Sequence, residues 1–307
     1  LKRAILVVFA AAAAVLAVLV LSPEPAPGPT GAWLTAAGLE PAFDTVRGRR
    51  IRYVRAGSGP TVVLLHGLAS SLYTWKDVVP GLARSHDVIA LDFPGFGGSE
   101  QPSDLDADEL PGIVVGLLDR LGLARTALVG NSLGGAVAVS AAATHGERVS
   151  ALVLLDSAGF NFAESDRPWI LRLVGSPVGK ALKYLPARRR LVRAGLAQVF
   201  HDPALITEER VNEYLAPLMR PGAMTAMRTL LLARGSQAAR FREQLSAVRA
   251  PTLVIWGRED RWIPVAHADL FAAAIPGARM VVIDGCGHVP QEERPRDVLR
   301  LLEEFLS

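Results

Sequence analysis

The 307-residue chain is half hydrophobic and carries a formal net charge of +3, enough apolar material for one large core or for a core with an insertion. Its single cysteine, Cys286, excludes an internal disulfide in any compartment. The positive excess is local, since residues 164–243 hold 14 Lys and Arg against 7 Asp and Glu. No nucleic-acid motif accompanies it, so nucleic acid is not an expected partner. Anionic lipid headgroups, an acidic substrate or a plain solvated surface are left as its readings.

In chain order, Lys2 and Arg3 precede an uninterrupted apolar run of 18 residues from Ala4 to Leu21. As a helix it would span about 27 Å, close to the hydrocarbon thickness of a bilayer. The run ends Leu19-Val20-Leu21-Ser22 without a small-x-small cleavage site. An uncleaved single-pass anchor over 1–22 is therefore expected, with secretion after signal cleavage as the alternative. The two cations would stay in the cytoplasm and the rest of the chain outside. Pro23, Pro25, Pro27 and Pro29 then predict a stiff linker over 23–42.

Beyond the linker, strands are expected at 50–56, 61–66, 87–92, 126–130, 149–156, 252–257 and 280–284. Helices are expected at 75–84, 107–121, 134–145, 264–275 and 295–305. Apolar strands alternating with helices predict an α/β chain with a doubly wound, mostly parallel sheet. The alternation stops over 159–248, where helical patterns at 169–174, 178–185, 188–200, 208–218 and 223–233 predict an inserted cap. The core is then 43–158 and 249–307. A cap over a reactive centre excludes water and shapes a pocket. Phe160, Trp169, Met219 and Met224 are its candidate lining residues, with Phe162, Leu173, Phe200, Tyr214 and Met227; most apolar residues at this spacing are cap core.

The chemistry is concentrated in the turns after the strands. Residues 127–136 read ALVGNSLGGA, a strand that breaks into Gly130-Asn131-Ser132-Leu133-Gly134 and a small-residue helix. Glycines two before and two after a serine suit a sharp strand-to-helix turn, because a β-carbon at either place would strike the neighbouring backbone. The turn exposes the Ser132 hydroxyl and puts the Leu133 amide at a helix start, where negative charge is favoured.

A serine hydroxyl becomes nucleophilic when a histidine takes its proton and a carboxylate orients that histidine. His288, in the glycine-rich turn 284–290 after the last strand, fits this base better than His267, whose bland reading is a helix-surface histidine. Asp260, after the strand 252–257, is the expected acid; Glu259 and Asp156 are its rivals. Leu68, in the His66-Gly67-Leu68 turn, is expected to supply the second oxyanion amide beside that of Leu133. His66 precedes the serine and reads as a support for its loop, and Cys286 reads as a small filler of the histidine turn.

These pieces together resemble the α/β-hydrolase fold family, in its lidded serine esterase, lipase and C–C hydrolase branch. The matching segments are LLHGLASS at 64–71, LDFPGFGGSEQP at 91–102, LVGNSLGG at 128–135, IWGREDRWIP at 255–264 and GCGHVPQEERP at 285–295. The resemblance covers about 45–307. It implies Ser132 as nucleophile, Asp260 as acid, His288 as base, and the Leu68 and Leu133 amides as oxyanion donors, with no metal or organic cofactor. Serine at the elbow departs from the haloalkane dehalogenases and epoxide hydrolases, which use a carboxylate there. The implied activity is hydrolysis of a small-molecule or lipid ester with an apolar acyl group through an acyl-enzyme. Anchor, basic cap and apolar helices together are similar to the arrangement in membrane-anchored monoacylglycerol-lipase-like hydrolases, with membrane contact through the N-terminal helix and, where the cap's basic surface is not merely solvated, through the cap. The alternatives are a meta-cleavage type C–C hydrolase and a non-catalytic binding protein on a hydrolase scaffold.

Overall fold

A computed structural model describes residues 27–160, 168–176, 189–233 and 238–307. The expected anchor over 1–22, Phe162 and the helix expected at 178–185 lie outside the described residues. Among the described residues no helix is long and apolar enough to cross a membrane.

The runs rich in Val, Ile and Leu pair into one sheet: β1 (Ala42–Val46), β2 (Arg49–Ala56), β3 (Thr61–Leu65), β4 (Asp87–Leu91), β5 (Thr126–Asn131), β6 (Val149–Leu155), β7 (Thr252–Gly257) and β8 (Arg279–Ile283). Their order is β1-β2-β4-β3-β5-β6-β7-β8. The β1-β2 and β2-β4 pairs are antiparallel and all the others parallel. Central strands are buried on both faces, as their continuous apolar runs require. Val63, Leu65, Ile89 and Leu128 face one core layer, and Val62, Leu64, Val88 and Val129 face the other.

The covering helices are α1 (Ala32–Ala36), α2 (Val79–Leu82), α3 (Glu109–Arg120), α4 (Leu133–Thr144), α5 (Trp169–Gly175), α6 (Arg189–Val199), α7 (Glu208–Leu218), α8 (Ala223–Ala233), α9 (Ala238–Ala247), α10 (Ala266–Ala274), α11 (Pro290–Glu293) and α12 (Pro295–Leu306). Between β6 and β7 the chain runs through α5 to α9. Of these, α8 packs on α5, α7 on α6, and α9 on α4.

Two local expectations are corrected. The linker expected over 23–42 gives way to α1 at Ala32, where Trp33, Leu34 and Leu39 bury against Tyr73 and Trp75; the proline alternation has ended and apolar surface takes over. The single helix expected at 75–84 is a 3₁₀ turn, Leu72–Trp75, followed by the four-residue α2. Pro80 and Gly81 leave little there to propagate a longer helix. Elements not anticipated include the short edge strand β1, with Phe43 exposed and Val46 buried, the short helix α11, and α9, whose charged sequence hides a stripe of Phe241 and Leu245.

The order of strands positions the site. From β3 the chain steps to β4 on one side and then places β5 on the other, so β3 and β5 lead away in opposite directions. Open α/β sheets bind ligands at the carboxyl ends of strands beside such a switch. Helix α4 comes very close to this point because its first turn is glycine. A Cβ on Gly134 would lie 2.2 Å from Leu65 O, and one on Gly130 would lie 2.3 Å from Gly134 O. Gly134→Ala is expected to cost at least about 3 kcal/mol in urea unfolding. Gly146→Ala, where a Cβ meets nothing within 4 Å, should stay within about 0.5 kcal/mol of the parent or be slightly stabilised.

Candidate active site

Ser132 follows β5 with φ +53° and ψ −113°, a conformation that a non-glycine residue holds only when its surroundings dictate it. Four backbone hydrogen bonds do so. The Ser132 amide donates to Leu155 O at 3.0 Å, and its carbonyl accepts from Gly135 N, Ala136 N and Ala158 N at 3.0, 3.2 and 2.9 Å. The side chain is 3% exposed.

The Gly67 turn lies against this elbow, since a Cβ on Gly67 would come within 3.3 Å of Ser132 Cβ. Neither the Leu68 nor the Leu133 amide has a backbone acceptor among the described residues, so both are available to an oxygen beside Ser132. His66 props the turn from below. Its Nδ1–H donates to Gly67 O at 2.7 Å, its Nε2 accepts from Phe93 N at 3.0 Å, and Phe93 and Phe96 flank the ring.

His288 Nδ1 donates to Asp260 Oδ2 at 2.7 Å. The other Asp260 oxygen accepts from Trp262 N and Ile263 N at 2.7 and 3.0 Å. With Nδ1 carrying the hydrogen, His288 Nε2 keeps a lone pair; it is buried and has no partner. The Trp262 ring lies over the imidazole at 5.4 Å, tilted by 30°. Of the rival acids, Glu259 is committed elsewhere, accepting from Cys286 N at 2.9 Å. Asp156 stands close. One ligand atom from each of Asp156, Asp260 and His288 falls within 4.8 Å of the others. Among the described residues this trio is the donor cluster dense enough for a metal, although the Asp260–His288 bond already uses two of its atoms. His267 sits beside the Phe160 ring at 6.2 Å, and burial lowers its pKa.

Ser132, His288 and Leu68 open onto one cavity of about 140 Å³. Its ceiling comes from α5 to α8, including Leu171, Val174, Leu196, Leu218 and Met224. Among its described lining residues there is no arginine or lysine. Of the expected lining residues, Met224, Leu173, Tyr214 and Met227 face it; Phe160, Trp169, Met219 and Phe200 do not. Trp169 and Met219 are 42% and 41% exposed: Trp169 begins α5, and Ile170, Leu171, Leu173 and Val174 take its inner face. Phe160 packs on Phe241 and Phe271 and lines an adjacent cavity that shares Leu171 with the first. Phe200 is buried with Leu196, Ile206 and Val289 under the Arg210 guanidinium.

Side chains not anticipated as part of the site tie the cap to the histidine turn. His288 N donates to Val199 O at 2.9 Å. Glu293 accepts from Gly287 N through one oxygen, at 2.7 Å, and from His201 N and Asp202 N through the other, at 2.8 and 3.2 Å. Its neighbour Glu292 pairs with the buried Arg210 of α7 at 2.9 Å and accepts from Thr74 and from Tyr214. Burial pushes both carboxyls up, against the pull of these donors. Asn131, just before the serine, donates to His288 O at 3.0 Å and Leu155 O at 3.1 Å, joining elbow and histidine turn. The sequence signal for Glu293 is its place in the segment EERP five residues after His288.

A model of the alpha/beta hydrolase fold family matches residues 60–295. The chain belongs to the α/β-hydrolase fold family. A curated relative, the dihydrolipoyllysine-residue acetyltransferase component of an acetoin cleaving system from Pseudomonas putida, is 34% identical over 88% of this chain and 70% of its own length. Among solved α/β-hydrolase neighbours, a variant of the meta-cleavage product hydrolase CumD superposes with a TM-score of 0.76 at 27% identity, covering 86% of this chain and 97% of that one. A membrane phospholipase A described as a bacterial virulence factor gives a TM-score of 0.73 at 25% identity, covering 100% of this chain and 98% of that one.

Two outcomes are expected in this α/β-hydrolase. Burial holds the His66 imidazole below its ordinary value of 6.5, so the neutral ring is the native form. Its contribution to stability is complete above 6.5 and is lost as pH falls through the lower folded value. Urea unfolding should therefore show stability dropping below pH 6.5, and His66→Gln should remove part of that drop, His267 supplying another part. Glu293→Gln keeps one acceptor oxygen and should cost about 1–3 kcal/mol. Hydrogen exchange should then speed up in 199–202 and 285–288 together.

Proposed function

We propose that this α/β-hydrolase is a membrane-anchored serine hydrolase that cleaves carboxylic esters with apolar acyl groups. The observation that carries the reading is the cavity: Ser132, the Leu68 turn and the unpartnered His288 Nε2 meet under a ceiling of aliphatic side chains. His288 Nε2 takes the Ser132 hydroxyl proton as Oγ bonds to the carbonyl carbon, and the Leu68 and Leu133 amides receive the oxyanion. Asp260 stabilises the imidazolium. The C–O bond to the alcohol breaks, and the alcohol leaves with the proton from His288. Water, deprotonated by the same nitrogen, then attacks the acyl-enzyme; the acid departs and Ser132 regains its proton. These steps call on no metal or organic cofactor.

The anchor belongs to this proposal as residues 1–22, with the catalytic domain on the extracytoplasmic side. The likeness to the membrane phospholipase A runs the whole length of this chain, whereas that to the meta-cleavage product hydrolase covers 86%. Contact of the basic cap with anionic lipid is a lesser part of the reading. Arg189 and Arg193 both pair with Glu208, Arg210 pairs with Glu292, and Arg240 with Asp108.

The likeness to CumD favours a second reading, C–C bond hydrolysis of a meta-cleavage product. An acidic substrate of that kind would need a cation to hold its carboxylate, and the described lining residues of the cavity supply none. A fluorophosphonate probe should label the wild type and not Ser132→Ala, and ester turnover by that variant should fall at least about a thousandfold. Nitrophenyl and glycerol esters of increasing acyl length should show kcat/KM rising from acetyl to medium chains. Failure on every ester with turnover of a dienoic acid would establish the C–C reading, and absence of labelling would leave a binding protein.

A further inference from the structure

Asp156 is the buried ionisable group closest to the catalytic cluster that the proposed chemistry does not use. It follows β6, fully buried, with φ +43°, again a backbone that a non-glycine residue adopts only under constraint. Its amide donates to Ile255 O at 3.0 Å, and its Oδ1 accepts from Gly257 N at 2.9 Å. Those bonds fix the carboxyl beside the turn that carries Asp260. Its Oδ2 is buried, and no donor reaches it.

The groups that face Asp156 are Asp260 on the turn after β7, Glu293 on α11, and Cys286 and His288 on the turn after β8. Among the described residues neither Asp156 nor Asp260 forms an ion pair with an arginine or lysine. Two bare carboxylates at this range in a buried site repel each other and lack solvation, so one takes a proton. The donors decide which one. Asp260 accepts from Trp262 N, Ile263 N and His288 Nδ1, whereas Asp156 accepts from Gly257 N alone. Hydrogen bonds to a carboxylate favour its charged form, so the negative charge belongs on Asp260 and the proton on Asp156 Oδ2. A hydroxyl there also converts an orphaned acceptor into a donor with an acceptor in reach.

We propose that Asp156 is a neutral carboxylic acid that donates a hydrogen bond to Asp260, so that the pair carries one negative charge behind His288. It is a positioning residue. By holding the second face of the Asp260 carboxylate it keeps the oxygen that meets His288 Nδ1 in place. Burial, followed by the charge of Asp260, pushes the Asp156 carboxyl well above its ordinary value, in keeping with the donor count. The kinetic part of the inference rests on the serine-hydrolase reading; the protonation part does not.

The first test is urea unfolding of the full chain against pH, with wild type and Asp156→Asn both carrying Ser132→Ala. A raised folded pKa gives a contribution complete below the ordinary value of 3.8 and lost as pH rises through the folded value. The stability of Asp156→Asn relative to its parent should therefore grow as pH climbs from 3.8 to neutrality. A difference that is flat with pH, or that shrinks, overturns the proposal. This measurement needs no turnover, so it stands even if Ser132→Ala labels like the wild type and the catalytic reading fails.

The second test is ester kinetics. Asp156→Leu should lower kcat about tenfold, with KM within about twofold. Asp156→Asn, which keeps a donor toward Asp260 and an acceptor for Gly257 N, should recover most of that loss. If Asn is as damaging as Leu while remaining folded, the site needs a charged Asp156 and the proposal is wrong.

Discussion

The left-handed backbone of Ser132 is the constraint on which the rest depends. A serine at φ +53° stays there because Leu155, Gly135, Ala136 and Ala158 each hold one of its backbone groups. Each of those partners belongs to β6, to α4 or to the loop after β6. The strain is thus supported from β6, from the first turn of α4 and from the loop after β6. It also sets the composition around it. Gly130 and Gly134 are needed because Leu65 and Gly134 bring their carbonyls within 2.3 Å of where a Cβ would stand, and the buried half of α4 is alanine and valine because the helix lies close over the sheet. A side chain presented on such a turn is held rigidly, which is the condition for keeping reacting atoms in register.

The second organising relation joins the histidine turn to the cap. His288 touches three parts of the protein through backbone and ring: Asn131 at the elbow, Asp260 after β7, and Val199 at the end of α6. Glu293 and Glu292 reinforce the last of these, with one carboxylate gripping 201–202 and the other gripping α7 through Arg210. Breaking a buried pair of this kind is costly, because it leaves an uncompensated charge in the interior. The ceiling of the cavity and His288 at its floor are accordingly tied together at this end of the cap.

Much of this was legible in the residues. The apolar runs marked all but one of the eight strands, because strands buried on both faces are nearly continuous in Val, Ile and Leu. Strand β1 escaped since only Val46 of its five residues is buried. The glycines around Ser132 and the turns holding Asp260 and His288 were legible because each needs particular residues at particular spacings. Cap lining was not. Trp169 and Met219 have the size and polarity of pocket residues, yet whether a helix turns them inward depends on how it docks, and periodicity within the helix does not contain that information. Glu292 and Glu293 were given no role from the sequence, because only the fold brings Arg210 and three backbone amides around them.

The join between cap and histidine turn has one further property. At His288 and Glu293 its cap side is made by main-chain atoms, namely the carbonyl of Val199 and the amides of His201 and Asp202, and any residue but proline can offer an amide. Most of the side chains that roof the cavity from α5 to α8 lie outside that join; Val199 and Tyr214, which donates to Glu292, are the exceptions among the described residues. Substitutions among those ceiling side chains can therefore reshape the cavity while the main-chain hydrogen bonds that seat His288 stay in place.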